Sequence, residues 1–229
     1  MARSNGLYGG YWLLRESVDR ATEYIHMRGL ERVVVAAASA LVLAVNIIIV
    51  FISVEPLYRV TGGIANGYIG IVSYKLTILG RNQLLPQMES LRDLSFLLIF
   101  ASVYSIILIL PSILYPSRRV PRIHLETAAA GYIVSELGLT LLVSFLRIIQ
   151  DNTIPSIPLD GSLRTEYGFF QLAGSEGYNT RFGIMALHMR EYFIFIGILF
   201  IFMAVILVLY TTEYYREVEE AAPLIPNPS

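Results

Sequence analysis

The chain has 229 residues, of which 55% are hydrophobic and 15% are charged, and its formal net charge is −1. A soluble domain carries about 25% charged residues, so this composition is typical of a membrane protein. The absence of cysteine excludes disulfides, thiolate catalysis, iron–sulfur clusters and cysteine-ligated zinc. The near-neutral charge gives no evidence of a nucleic-acid partner, because such binding depends on a cationic surface.

The first 32 residues predict an amphipathic helix on the cytoplasmic surface of a membrane. Tyr11, Leu14, Val18 and Ile25 recur at near-helical spacing, with charged residues between them. Trp12 suits the interface between lipid and water. We expect this helix to lie on the bilayer and lead into the first span. A solvated helix that packs against a partner subunit is the alternative.

Four apolar blocks predict four transmembrane helices, at residues 33–54, 94–115, 127–149 and 192–210. Each block is close to the roughly 20 residues that span the hydrocarbon core. Such segments must be helical, because lipid offers no partner for a free backbone amide. The sequence therefore predicts an all-α, multi-pass protein of the plasma membrane.

The basic residues predict that both termini are cytoplasmic. In that orientation nine arginines lie inside and seven basic residues outside. The short connection 116–126 holds Arg118, Arg119 and Arg122, and such a cluster strongly favours the cytoplasm. We expect these three arginines, together with Trp12, to anchor the chain at the interface. The acidic and proline-rich tail, 211–229, is then also cytoplasmic.

This topology leaves two outer loops, 55–93 and 150–191. In the first loop, residues 68, 72, 74, 76 and 78 form an apolar face at period two, which is typical of a strand. We expect the two loops to contribute short β-strands to a small external cap. An interfacial helix in the first loop is the alternative.

The third span carries a polar line and a stripe of small residues. Side chains four or three positions apart share one face of a helix. The polar line consists of Tyr132, Glu136, Thr140, Ser144 and Arg147. The stripe beside it, which would let another helix approach closely, consists of Gly131, Ser135 and Gly138. The sequence therefore predicts an interior helix with one packing face and one polar face.

Three interpretations of the polar line remain open. In the first, it lines a water-filled path in which Glu136 binds or relays a cation or a proton, as intramembrane carboxyl groups often do. In the second, Glu136 is protonated and forms a structural hydrogen bond with Asn46 of the first span, Tyr104 of the second span or a serine. In the third, the line contacts a helix of a partner subunit.

No catalytic or cofactor motif is present: the sequence lacks a Gly-rich phosphate loop, HExxH and GxSxG. The three histidines (His26, His124 and His188) lie outside the centres of the spans, so we expect no metal and no cofactor. The leading hypothesis is a non-enzymatic subunit of a larger membrane assembly, which scaffolds it or forms part of a conduit.

Its partners would be the lipid bilayer and either other membrane subunits or further copies of the chain. The first alternative is a homo-oligomeric channel or transporter with a path along the third span, for example in a secretion or DNA-transfer machine. The second alternative is a membrane anchor that binds a quinone or another cofactor.

Overall fold

The computed structural model describes residues 24–62, 65–114, 119–153, 170–172 and 175–221. Four long helices dominate this part of the chain: α1 (Gly29–Val54), α2 (Pro86–Leu114), α3 (Arg122–Ile148) and α4 (Arg181–Ala221). A π-helical turn, Ile149–Thr153, continues α3. The strands are β1 (Tyr24–His26), β2 (Tyr58–Gly62), β3 (Ala65–Ile69), β4 (Tyr74–Ile78), β5 (Arg81–Gln83), β6 (Arg119–Pro121), β7 (Phe170–Leu172) and β8 (Ser175–Asn179).

The prediction of four helices that are long and apolar enough to cross a membrane is confirmed. The helices extend beyond the apolar blocks, most of all α4, which covers Arg181–Ala221 rather than residues 192–210. α2 begins at Pro86 rather than at residue 94. The additional turns of α2 are amphipathic: Met88 and Leu91 are buried, while Glu89 and Arg92 form an ion pair of 2.7 Å towards solvent. Hydropathy marks only the uniformly apolar part of a helix, whereas a helix continues wherever one face is buried.

The N-terminal segment differs from the predicted amphipathic helix at residues 24–26, which form a strand. Residues 1–23, including Trp12, lie outside the described residues. Tyr24–His26 form strand β1, which pairs antiparallel with β6 so that Ile25 is opposite Val120. α1 begins at Gly29. Residues 24–32 are therefore a strand and the start of α1, and the interfacial helix stays a prediction for the residues before them.

The predicted basic loop at 116–126 is largely ordered secondary structure. Arg118 lies outside the described residues, Arg119 begins β6, and Arg122 begins α3. The Arg122 Nε donates to Glu126 Oε1 at 2.6 Å, one helical turn further on. Arg122 and Glu126 are four positions apart, so they lie on the same face of α3 and can form this ion pair.

The two predicted outer loops meet in one six-stranded antiparallel sheet, with the order β5-β4-β3-β2-β8-β7. β2 joins the two loops, because it pairs with β3 of the first and with β8 of the second. The expected short strands are thus confirmed, and the helical alternative for residues 68–78 of the first loop is wrong. Residues 86–93 of that loop belong to α2.

The period-two pattern in the first loop does not describe a single face of the sheet. Tyr68 of β3 is opposite Lys75 of β4, so Tyr68 and Leu76 point to opposite faces. The chain reverses in between, where the Gly70 amide donates to the Ser73 carbonyl at 2.9 Å. The buried face of the sheet consists of Tyr58, Val60, Ala65, Ile69 and Leu76.

Ionisation of the Tyr58 phenol is expected to make the protein less stable at alkaline pH. Burial, with a smaller contribution from the negative charge of Asp151, raises the pKa of Tyr58 to about 12 from its usual 10. A raised pKa in the folded state favours the protonated phenol, so its stabilisation is complete below pH 10 and is lost as the pH rises towards 12. We expect a loss of roughly 2–3 kcal/mol over this interval.

The Tyr58→Phe variant checks this expectation, because it has no phenol to ionise. The free energy of unfolding in detergent would be measured at pH 9 and at pH 11.5 for both proteins. The wild type should lose more stability than the variant; equal losses in both would show that Tyr58 is not the group responsible.

The contacts of the chain divide into two compact units. The first contains residues 1–43, 105–133 and 200–229, and the second contains residues 44–104 and 134–199. Each long helix contributes residues to both units, and all strands of the six-stranded sheet belong to the second.

Candidate functional site

Helix α3 is the most buried of the four long helices. In the most apolar 18-residue stretch of each helix, 50% is buried in α3, against 28% in α1, 33% in α2 and 28% in α4. Residues of α3 contact α1, α2 and α4. The polar groups of α3 therefore divide into those that face neighbouring helices and those that face outward.

In the first unit, Tyr132 joins three helices through hydroxyl groups. The Tyr132 and Ser39 hydroxyls are 2.8 Å apart, and Ser39 is 2.7 Å from the Ser112 hydroxyl. Close by in sequence, Ser105 Oγ donates to the Gly131 carbonyl at 2.8 Å. Buried hydroxyls need such partners, since an unpaired polar group in an apolar interior costs free energy. Tyr132 thus belongs to a structural junction of α1, α2 and α3.

In the second unit, Ser135 and Gly138 of the small-residue stripe contact α1 and α2. Asn46 Nδ2 donates to Ser135 Oγ at 2.8 Å, and both side chains are fully buried. A Cβ atom on Gly138 would lie 3.5 Å from Ser102 Oγ and 3.9 Å from the Ile49 Cδ1 atom. The predicted interior partner Asn46 therefore bonds to Ser135 of the stripe.

The remaining residues of the polar line border a groove between α3 and α4, which we call the α3/α4 groove. Its volume is about 240 Å³. The α3 side is lined by Glu136, Leu139, Thr140, Val143, Ser144 and Arg147, and the α4 side by Phe193, Ile194, Gly197 and Ile198. A Cβ atom on Gly197 would be 3.4 Å from Glu136 Cγ, so the glycine leaves room for the Glu136 side chain.

Local hydrogen bonds organise the groove along α3. Thr140 Oγ1 donates to Glu136 Oε1 at 2.8 Å, and Ser144 Oγ donates to the Thr140 carbonyl at 2.8 Å. Among the described residues, Glu136 forms no side-chain hydrogen bond to another helix, and Arg147 forms no ion pair. Glu136 is half-buried, whereas Thr140, Ser144 and Arg147 are exposed.

Tyr104, a second interior partner expected from the sequence, also faces outward. Its side chain is 44% exposed, and its ring stacks on Phe100 with the ring centroids 5.8 Å apart. Neither Asn46 nor Tyr104 is thus the hydrogen-bond partner of Glu136 within the described chain. Exposed apolar side chains of the long helices, among them Phe96, Phe100 and Phe195, lie on the same helices as Tyr104 and the α3/α4 groove.

Sequence reasoning missed a second groove, which lies between α1 and α4 in the first unit. It has a volume of about 280 Å³ and is lined mainly by apolar side chains, among them Val34, Ala38 and Leu207. At one edge, Glu31 accepts hydrogen bonds from the Arg28 amide at 2.8 Å and from the Tyr210 hydroxyl at 2.9 Å. The signal in the sequence was an acidic residue at the third position of α1, where a carboxylate caps the first turn.

The described residues hold no group of three or more histidine, aspartate or glutamate side chains placed to bind a metal ion. The chain matches no protein-family model and no curated protein. The described residues therefore define a mostly helical protein with four helices of membrane-spanning length, a six-stranded sheet, and a groove between α3 and α4 that is lined by both polar and apolar side chains.

Proposed function

We propose that the protein is a non-enzymatic, multi-pass subunit of a plasma-membrane assembly, in which another subunit covers the α3/α4 groove. The observation that carries the proposal is the position of half-buried Glu136 and exposed Arg147 at the α3/α4 groove, beside apolar side chains of α4. Both termini would be cytoplasmic, with the six-stranded sheet on the outer side. The arginine-rich connection between α2 and α3 supports this orientation, because such short loops remain in the cytoplasm.

The surface around the groove explains why a covering subunit is needed. Many large apolar side chains of α4 are exposed, including Phe195 and Phe202, and such a surface is suited to lipid. A charged side chain at the centre of a spanning helix costs about 2.5–3.5 kcal/mol on insertion scales. Contact with a protein that supplies hydrogen bonds offsets this cost, and lipid chains supply none.

A channel or transporter is the second candidate, favoured by the continuity of the polar line. Glu136, Thr140 and Ser144 are connected by hydrogen bonds along one edge of the α3/α4 groove. If water fills the groove in the assembly, this edge would conduct a cation or a proton. The two candidates share the same interface and differ in whether the Glu136 charge is used.

Substitutions at Glu136 test the proposal and separate the two candidates. We expect tagged wild type and Glu136→Gln to purify from native membranes in the same assembly, because glutamine keeps the hydrogen-bonding capacity. In Glu136→Leu, the amount of copurifying subunit should fall at least ten-fold, since leucine offers no hydrogen bond. Glu191→Leu is the matched control: Glu191 is an exposed carboxylate outside the groove, and we expect its assembly to be unchanged.

The amount of associated subunit is measured by quantitative mass spectrometry of the purified material. A wild-type protein that is monomeric and free of partners in native membranes would contradict the proposal. Loss of ion flux in Glu136→Gln, with the assembly intact, would establish the channel instead.

A further inference from the structure

We propose that the subunit covering the α3/α4 groove is a second copy of this chain, which lays the outer face of its α2 along the groove. The copies would form a closed ring around an axis normal to the membrane. This inference rests on the proposed function and names the partner. It is carried by a match in spacing and charge between two surfaces of the same chain.

The outer face of α2 carries its own line of exposed residues. Asp93, Leu97, Phe100 and Tyr104 follow one another at helical intervals of four, three and four positions, so they share a face. All four are exposed. Arg92 makes its short ion pair with Glu89 and lies 3.7 Å from the Asp93 carboxylate. The line thus begins with a weakly paired acid and ends with a phenol.

The two lines have the same length. Asp93 and Tyr104 are eleven positions apart on α2, and Glu136 and Arg147 are eleven positions apart on α3. Eleven residues of α-helix correspond to a rise of roughly 16 Å. A negative group and a hydroxyl donor on one surface therefore match a positive group and a carboxyl acceptor on the other.

The two lines also lie at the same level. α2 and α3 are antiparallel neighbours, joined by the short connection that contains β6. Ser102 of α2 lies directly beside Gly138 of α3. Counting in opposite directions from this contact places Tyr104 level with Glu136, and Asp93 level with Arg147.

A rotation about the membrane normal preserves the depth of every residue. When one copy's α2 meets the next copy's α3 in a ring, Tyr104 therefore meets Glu136, and Asp93 meets Arg147. The phenol donates to the carboxyl group, and the carboxylate pairs with the guanidinium. Glu136 and Arg147 of one copy then both acquire a partner from the next copy in a single helix–helix contact.

A two-fold dimer through the groove does not give this complementarity. An axis along the membrane normal would place Glu136 against Glu136 and Arg147 against Arg147, because an isologous interface pairs each residue with its own copy at the centre. Like charges in direct contact are unfavourable. The charges therefore favour the head-to-tail ring over self-pairing of the groove.

Disulfide cross-linking between differently tagged copies tests the geometry on a clean background, because the chain contains no cysteine. One copy carries Leu97→Cys and the other carries Ser144→Cys, so that all four polar groups of the contact remain. After oxidation in native membranes we expect dimers that contain both tags. A chain carrying both substitutions should give a ladder of higher oligomers.

Each single-cysteine variant alone is the control and should stay uncrosslinked. A dimer from Ser144→Cys alone would overturn the ring in favour of a two-fold contact. Absence of a cross-link in every combination would also overturn it. If a different protein then copurifies, the proposed function stands without the second copy; if no partner is found, both fail.

Exchanging the charges of Asp93 and Arg147 provides a second test of the contact, which does not depend on cysteine reactivity. We expect Asp93→Arg and Arg147→Asp each to lower the oligomeric fraction at least ten-fold, and the double variant to restore it. Arg181→Asp, at the exposed first residue of α4, is the matched control for a lost surface arginine and should leave the oligomer intact. Failure of the double variant to recover, with both single variants impaired, would show that the two residues do not face each other.

Discussion

Replacing Gly183 by alanine is expected to lower the free energy of unfolding by about 2–4 kcal/mol, the range of severe overpacking and backbone strain. A Cβ atom at this position would overlap the Leu57 carbonyl oxygen and lie 2.9 Å from the Leu57 carbonyl carbon. These are backbone atoms, which a rotamer change does not move. The first turn of α4 would therefore have to separate from the residue that precedes β2.

The hydrogen bonds around Gly183 explain why such a separation is costly. The Thr180 amide donates to the Leu57 carbonyl at 2.9 Å, and the Gly183 amide donates to Thr180 Oγ1 at 3.1 Å, which caps α4. Leu57 itself donates to the Ile69 carbonyl of β3 at 2.9 Å. One added methyl group thus strains the joint between α4 and the sheet.

The sign of the change makes the experiment decisive. Alanine in an ordinary helical position is more stable than glycine by about 1 kcal/mol, so a loss at Gly183 reports the close contact with Leu57. Gly29→Ala is the matched control, because no atom lies within 4 Å of a Cβ there. Unfolding in detergent should show Gly29→Ala unchanged or stabilised, and an equally stable Gly183→Ala would contradict the packing described for α4.

Replacing Gly131 by alanine is expected to lower the free energy of unfolding by about 1–3 kcal/mol through overpacking between α2 and α3. The added Cβ atom would lie 2.6 Å from Ile109 Cγ2 and 3.2 Å from Leu108 Cβ. Both atoms are close to the α2 backbone, and isoleucine is stiff at χ1. The helices would have to move apart, which weakens the Ser105 bond to the Gly131 carbonyl.

Gly138→Ala is the matched control on the same stripe. Its Cβ atom would lie 3.5 Å from Ser102 Oγ, which is ordinary van der Waals contact. We expect Gly138→Ala to be neutral or slightly stabilising under the same unfolding conditions. Equal losses at the two glycines would show that the whole stripe, rather than Gly131 alone, sets the distance between the helices.

The six-stranded sheet shows which features a local sequence pattern predicts and which it does not. Alternation in the first outer loop predicted strands, because period two is a property of the extended chain itself. The same pattern predicted that Tyr68 and Leu76 share one face. In the structure, Tyr68 of β3 and Leu76 of β4 point to opposite faces of the sheet. The reversal at Gly70–Ser73 resets the alternation, and the pairing of β2 with β8 joins residues far apart in sequence.

The sequence by itself determined the four long helices, because uninterrupted apolar runs of this length leave the backbone few other ways to satisfy its hydrogen bonds. It also placed Tyr132, Glu136, Thr140, Ser144 and Arg147 along one side of α3, since helical periodicity fixes the angles between them. Only the tertiary structure decided that Tyr132 is buried in a three-helix junction while the other four border an outward groove. Periodicity fixes where residues lie relative to one another on a helix, and the neighbouring helices decide which of them are covered.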